Sequence, residues 1–534
     1  MDSTSHRVET RPPRGRVRAS LVDTSDEACR QFLEDAAHYP GGAARGVAFP
    51  ASEAEVAALF SLGLPLLPVG AQSSLTGGAT PQGEIVVATS RLADIVTMEG
   101  DRARAGAGAT LDALQKALGA AGRWYPPVPT YTACCCGGVV ATNAAGPATF
   151  KYGPTRPWVI GLTTVLPDGT VLDLVRGQAV AHRDGYFEIV SRGQVTRVPV
   201  PRVTRPDVPK CSAGYFGAPG MDLVDLFVGA EGTLGITTEV TFRTAAKPAA
   251  NLMAMVAVPA DAQALALVAR LREASETTRR TGDPCGMDTV AIESIDARSI
   301  ALLREDGADV RAGVTLPPDA QAVLFVELES GQALTDEDAW RQVEGALADE
   351  GPDGAVARLC RLLDQHGLLE ATELALPGQA ARRERFHQLR EAVPDAVNRR
   401  VARAKAADAR VSKTAADIIV PFARFPELVA ACQEAFASRG LDYAVWGHVS
   451  DGNVHPNAIP RSFDDVVLGR EAVMAIGEAA IALGGAPLAE HGVGRNPVKK
   501  ALLRRLHGDD GVASMRAVKQ AIDPAGLLAP GVLL

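Results

Sequence analysis

The chain reads as an α+β protein in two domains, and three observations predict it. Its 534 residues exceed the roughly 150 that one core usually serves. Over about the first 245 residues, short strand and helix patterns mix and are punctuated by glycine-rich loops. From Asn251 to Ala458 the order changes to strand, helix, strand, strand, helix, and later strand, helix, strand, which suits an antiparallel sheet backed by helices. Apolar residues at 47% and charged residues at 22% supply ample core and exclude a disordered chain.

The elements follow in order. Residues 52–64 predict a helix, with Ser52 and Glu55 at capping-box spacing and Val56, Leu59 and Phe60 on one face. A strand at 65–69 runs straight into a glycine-rich loop. Strands at 84–89, 94–98 and 102–107, a helix at 111–121, a hairpin over 159–174 turning at Pro167-Asp168-Gly169, and a strand at 236–243 complete a first domain at 23–248. Residues 176–220 show little periodicity and carry scattered basic side chains, so they read as one long loop. In a second domain, at 249–490, strands fall at 252–258, 290–295, 322–329, 416–421 and 443–449, and helices at 262–274, 425–439 and 463–483, like doubled ferredoxin-like units. Residues 491–534 read as a helical segment that packs back on the first domain. Residues 1–22, with Arg7, Arg11, Arg14, Arg16 and Arg18, read as a flexible tail.

The excess of 63 acidic over 54 basic residues gives a net charge of −9 and no global attraction for nucleic acid, which is not an expected partner. Eight cysteines, three of them consecutive at Cys134 to Cys136, contain no C-x-x-C pair for zinc or an iron–sulfur cluster and suit a reducing compartment. The first residues lack the apolar stretch a signal peptide needs, and no run of 18 apolar residues occurs in the sequence. A cytoplasmic protein is the expectation, with peripheral association at the inner face of a membrane and a homodimer left open.

Pro68-Val69-Gly70-Ala71-Gln72-Ser73-Ser74-Leu75-Thr76-Gly77-Gly78 puts small residues and hydroxyls directly after a strand, where backbone N–H groups can converge on phosphate oxygens. Alone, such a loop reads first as an ordinary tight turn. It is not a Walker A loop, because the chain has no Gly-Lys pair. Two more small-residue stretches follow: Cys135 leads into Gly137, Gly138, Thr142, Asn143 and Gly146, and Glu231, Gly232, Gly235 and Ile236 lead into a strand. In this order, with Tyr152-Gly153 and Leu166-Pro167-Asp168-Gly169, the segments resemble the vanillyl-alcohol-oxidase-type FAD-binding domain. The resemblance implies that the first loop holds the FAD pyrophosphate, the second runs along the flavin, and residues 231–236 meet the ribose and adenine. Gln72 stands where that family usually has Gly. No histidine lies beside the glycine-rich segments, so the expected FAD is noncovalent, with the triple cysteine packing.

The second concentration of chemistry is C-terminal. Gly447-His448-Val449-Ser450-Asp451-Gly452-Asn453-Val454-His455-Pro456-Asn457 sets two imidazoles seven residues apart across a turn, and Glu490-His491 follows. Two histidines and a carboxylate are the donor set of a catalytic divalent metal with open positions, Zn or Mn, although turn histidines held by hydrogen bonds would read alike. These segments, with the ending Asp523-Pro524-Ala525-Gly526-Leu527-Leu528, are similar to the FAD-linked D-2-hydroxyacid dehydrogenases: D-lactate and D-2-hydroxyglutarate dehydrogenases and the flavin subunit of glycolate oxidase. The resemblance spans about residues 45 to 534. It implies that His448, His455 and Glu490 hold the metal, His491 is the general base and Asn457 meets the substrate. Arg390 would bind the carboxylate of a small 2-hydroxy acid, and Lys413, two places off the family position, is similar to a substrate lysine.

Hydride would then pass to flavin N5, leaving a 2-oxo acid. With no iron–sulfur or haem motif in the chain, the expected acceptor is separate: a quinone, a cytochrome, an electron-transfer flavoprotein or oxygen. Two rivals stay open. One is a non-redox flavoenzyme like alkylglycerone phosphate synthase, using the basic 176–210 stretch for phosphate, and the other is a flavin subunit active only within a larger complex.

Overall fold

The computed structural model describes residues 5–348 and 353–534. The chain divides into two compact units, the first made of Met1–Gly146, Gly153–Lys247 and Ala486–Leu534, the second of Pro147–Tyr152 and Pro248–Gly485.

The first unit holds two main sheets. In one, Gly46–Ala48, Ile85–Ala88 and Leu66–Val69 run parallel, with Val22–Asp23 antiparallel at the edge. The other is a five-stranded antiparallel sheet in the order Val171–Val175, Val159–Val165, Ile236–Arg243, Arg102–Gly106, Ile95–Glu99. The helix Glu53–Phe60 joins them. Its cap is the one the sequence predicts, Ser52 Oγ accepting from Glu55 N–H at 3.3 Å, while the Glu55 carboxylate takes the N–H of Ala51 at 2.8 Å. Val56, Leu59 and Phe60 on its buried face meet Ile85 and Val87 of the first sheet, Val165, Val171 and Ile236 of the second, and Leu528 from the end of the chain. The final segment is tied to the edge of the parallel sheet, since Leu66 N–H donates to Leu527 C=O and Ala529 N–H to Leu66 C=O, both at 2.8 Å.

Three expectations change here. The long loop over 176–220 contains a hairpin, Tyr186–Ser191 with Gln194–Pro199, turning at Arg192 and Gly193, both with positive φ. Its alternation of buried Phe187, Ile189 and Val198 with polar positions is too short to stand out among basic residues. The free tail is not free. Arg7–Glu9 adds a parallel strand to that hairpin, and the arginines find carboxylates: Arg7 with Glu188 at 2.6 Å, Arg11 with Glu53 at 2.6 Å and Asp173 at 2.5 Å, Arg18 with Glu55 at 2.5 Å. Finally, residues 147–152 leave the first unit for the second. There Lys151 sits 2.5 Å from both Asp288 and Glu329, and the Tyr152 hydroxyl donates to Glu329 at 2.5 Å.

The second unit is an eight-stranded antiparallel sheet, with Ala250–Val258, Ala322–Ser330 and Asp288–Asp296 at its centre and Tyr443–Gly447 and Asn453–Ala458 continuing it. The helix Ala380–Ala407 buries Phe386, Leu389, Arg390, Val393, Ala396, Val397 and Val401. That is one helical stripe. Phe386, Leu389, Val393 and Val397 in it pack with Met253, Phe325 and Trp446 of the sheet. Arg390 therefore belongs to the buried face of its helix.

Candidate active site

A cleft of ≈ 330 Å³ opens in the first unit, lined by all three small-residue segments and by Glu490 and His491. Its floor is assembled through the backbone. Gly229 N–H donates to Val140 C=O at 2.9 Å and Glu231 N–H to Ala141 C=O at 2.8 Å, which ties the third segment to the second. Cys136 and Gly137 donate to Ala109 and Ala107 C=O at 2.8 Å each, which seats the second segment on the antiparallel sheet's connection.

The first loop is shaped as a nest. Ser74 Oγ accepts from the N–H groups of Thr76 at 3.3 Å and Gly78 at 3.2 Å, and Gln72 takes a positive φ of 52°, the conformation that suits glycine there. The N–H groups of Ala71, Gln72, Ser73, Ser74 and Leu75 have no acceptor among the described residues, although backbone donors seldom go unmet. A run of unmet donors facing a cleft fits the oxygens of a pyrophosphate. A Cβ on Gly138 would meet no neighbouring atom of the described residues within 4 Å, which leaves that wall of the cleft open to a flat ring system. These features fit FAD.

Of the expected cofactor residues, Pro68, Gly70, Ala71, Gln72, Ser73, Ser74, Thr76, Cys135, Gly137, Gly138, Thr142, Glu231, Gly232, Gly235 and Ile236 line the cleft. Gly77, Asn143 and Gly146 are not part of the lining. Gly77 lies under the Tyr39 ring, Asn143 accepts the Arg156 N–H on its side-chain oxygen at 2.9 Å, and Gly146 presses on the Val128 carbonyl. They shape the loops from behind. Burial pushes the Cys134 and Cys136 thiols up to about 12 and raises Cys135 as well, which disfavours the thiolate form in all three.

Glu231 differs from the role implied for it. Its half-buried carboxylate accepts the N–H groups of Val493 at 2.8 Å and Gly494 at 2.7 Å, so both oxygens hold the loop that carries His491. Burial raises its pKa against those two hydrogen bonds. The same loop is fixed to the first segment, since Arg495 N–H donates to Thr76 C=O at 2.9 Å and the Arg495 guanidinium binds Glu84 at 2.7 Å. Glu490 is ion-paired with Lys210, whose side chain is fully buried. Sequence reasoning placed Lys210 only in a basic loop, and nothing in its surroundings marks it as more.

In the second unit the rings of His448 and His455 meet edge to face, 5.3 Å between centroids at 86°. Glu293 Oε1 lies 3.2 Å from His448 Nδ1 and 2.5 Å from an Arg390 amino nitrogen, and the other amino nitrogen of Arg390 donates to Glu391 at 2.6 Å. Burial pushes Glu293 up, but the Arg390 charge and His448 outweigh it and hold the carboxyl at about 2. Arg390 is thus already committed to two carboxylates. Asp417 Oδ1 lies 3.5 Å from His455 Nδ1 and accepts from Asn453 Nδ2 at 3.1 Å. Asn457 spends Nδ2 on the His455 carbonyl at 2.9 Å and keeps a buried Oδ1 with no hydrogen-bond partner among the described residues. Lys413 donates to Asn398 at 3.0 Å, and burial lowers its ammonium to about 8.

Glu293 and Asp417 were missed. A signal existed: each is a lone carboxylate inside an apolar strand-like run, Val290-Ala291-Ile292-Glu293 and Ala416-Asp417-Ile418-Ile419, and a charge buried there must be paired.

Comparison with known proteins agrees with this geometry. Residues 259–533 match the family described as FAD linked oxidases, C-terminal domain, and residues 44–174 match an FAD binding domain. The chain is 28% identical over 483 residues to glycolate oxidase subunit GlcD of Bacillus subtilis, covering 88% of this chain and 83% of that one. It is 27% identical to a probable mitochondrial D-lactate dehydrogenase of Danio rerio, covering 91% and 84%, and 26% identical to a D-2-hydroxyglutarate dehydrogenase of Xanthomonas citri pv. viticola, covering 91% and 88%. Among solved structures, alkyldihydroxyacetonephosphate synthase superposes with a TM-score of 0.57 at 16% identity over 96% of this chain and 82% of that one, a likeness of fold.

Proposed function

This chain belongs to the FAD-linked oxidases, and we propose that it oxidises a small D-2-hydroxy acid to the 2-oxo acid, with noncovalent FAD and a divalent metal, Zn or Mn. One observation carries the reading: the cleft with the phosphate-type nest also has His491 and Glu490 in its lining. The relatives named for glycolate, lactate and 2-hydroxyglutarate share that substrate class and support it.

FAD, when bound, supplies the acceptor for two electrons and the Cα hydrogen, and the Ala71–Leu75 N–H groups are suited to its pyrophosphate. A divalent metal, when bound, supplies a Lewis acid at the substrate hydroxyl, with His448, His455 and Glu490 as its donors. His491 takes the hydroxyl proton. Arg390 binds the carboxylate by keeping Glu293 and releasing Glu391, the more exposed of its two partners. Lys413, with its weakened hold on a proton, is a second cationic donor. The open Oδ1 of Asn457 accepts from a substrate hydroxyl.

Electrons leave to a separate quinone, cytochrome or electron-transfer flavoprotein, and the relative named as a subunit makes a partner chain a natural route. No helix among the described residues is long and apolar enough to cross a membrane.

The test is a panel of D- and L-2-hydroxy acids mixed anaerobically with the purified protein while flavin absorbance is followed. Bleaching by D-2-hydroxy acids is expected. His491→Asn should keep the flavin but slow bleaching by about 10² to 10⁴ and lose the rise in rate with pH that a histidine base gives. A panel in which nothing bleaches the flavin overturns the reading.

A further inference from the structure

Behind each of the His448 and His455 rings stands a buried carboxylate from a distant part of the chain. Glu293 comes from the strand Asp288–Asp296 and faces His448 Nδ1 at 3.2 Å. Asp417, beside the short strand Ile418–Ile419, faces His455 Nδ1 at 3.5 Å. Each carboxylate is itself held from behind, Glu293 by Arg390 at 2.5 Å and Asp417 by Asn453 at 3.1 Å, and the Asn453 amide is fixed in turn on the Ile418 carbonyl at 2.9 Å. All four of these supporting side chains are buried.

A histidine needs only one acceptor to fix its ring, and a backbone carbonyl would do. Burying a carboxylate instead is costly unless the charge is paired, and here it is done twice, with the Arg390 guanidinium as the ion-pair partner of Glu293 and the Asn453 amide as the donor to Asp417. The consequence is chemical. An imidazole whose Nδ1 faces a carboxylate keeps its proton on Nδ1, so the lone pair is on Nε2 and the ring is a better donor to a cation.

We propose that Glu293 and Asp417 are positioning residues that lock His448 and His455 in the Nδ1–H tautomer and so make Nε2 of each ring the ligand atom for the divalent metal. This rests on the metal reading above. It also gives Arg390 a task apart from substrate, as the counter-ion that keeps Glu293 charged and in place.

Two measurements on the full-length, FAD-loaded protein test it. In protein labelled with ¹⁵N-histidine and stripped of metal, the side-chain resonances of His448 and His455 should report Nδ1–H. Titration with Co²⁺ should show one site, with affinity lowered about 10- to 100-fold in Glu293→Gln and in Asp417→Asn, while stoichiometry and flavin content stay at wild-type values. A wild type that takes up no Co²⁺ removes the metal reading itself. A wild type that binds Co²⁺, with variants that bind it equally well or rings in the Nε2–H form, removes the positioning role and leaves the metal. Loss of the site altogether in Asp417→Asn would make that residue a ligand and overturn its half of the proposal. If Glu293→Gln fails to fold, the wild-type tautomer still decides the case of His448.

Discussion

The cleft of the first unit is fixed by backbone, with N–H groups of one segment donating to carbonyls of the next and Glu231 gripping two peptide N–H groups beside His491. His448 and His455 of the second unit are fixed by side chains, through the Glu391, Arg390, Glu293, His448 series and the Asn453, Asp417, His455 series. The difference separates two kinds of precision. Backbone placement depends on φ, ψ and close approach, so glycine substitution damages it directly, and charge enters where Glu231 and the Arg495–Glu84 pair brace the His491 loop. Side-chain placement depends on ionisation, so a neutral isostere damages it while the fold stands.

Removing metal is the sharpest separation. Prolonged chelation, or His455→Ala, should abolish turnover and leave flavin content unchanged, as read by visible absorbance and metal analysis. Loss of flavin together with metal would mean that the two constructions are not independent. The converse break is Gly494→Ala. With φ at 56°, a Cβ there would overlap the carbonyl and hydroxyl oxygens of Thr76, the point where the His491 loop meets the first segment. A strained, overpacked backbone site of this kind should cost about 3 kcal/mol or more and release flavin, equally at low salt and at 1 M salt, in denaturant titrations. A salt-dependent loss would place electrostatics in the wrong unit.

The same division explains what was legible in the sequence. Glycine-rich segments announce themselves, because the backbone conformation that builds a nest constrains residue type within one short stretch. The strand Ile236–Arg243 and the antiparallel second unit follow from periodicity. What could not be read were pairings across the chain. Arg390 looked like a helix arginine able to meet substrate, and only the buried stripe of Ala380–Ala407 turns it toward Glu293. The arginines of the first twenty residues looked solvated, because their partners Glu188, Asp173 and Glu55 lie 37 to 181 positions away. Lys210 and Glu490 are separated by 280 residues.

A weaker effect should appear as pH dependence of the second unit. Asp296 caps the helix Ala297–Glu305 and accepts from Val445 N–H at 2.9 Å, yet burial raises its carboxyl to about 6. Its folded form then binds a proton more tightly than the unfolded chain does. The stability it affects is therefore greatest below about pH 4 and falls as pH rises toward about 6, by at most about 3 kcal/mol. In Asp296→Asn the slope between pH 4 and 6 should flatten, as measured by urea unfolding of the second unit's signal. An unchanged slope would assign the dependence to another buried carboxyl.

The smallest effect concerns Cys135, which touches the cleft directly. Its side chain packs beside the first loop, 3.2 Å from where a Cβ on Gly70 would stand, and burial raises its thiol. A protonated thiol is a poor nucleophile toward a flavin ring, and a cleft whose shape is set by backbone should tolerate a change in one lining side chain. Acid precipitation should therefore release all of the yellow colour from the wild type. Cys135→Ala should bind FAD as well as the wild type does and lose about 1 kcal/mol for the missing sulfur. Colour that stays with the wild-type pellet and leaves the Cys135→Ala pellet would establish a covalent bond, and the first unit would then hold its cofactor by a side chain after all.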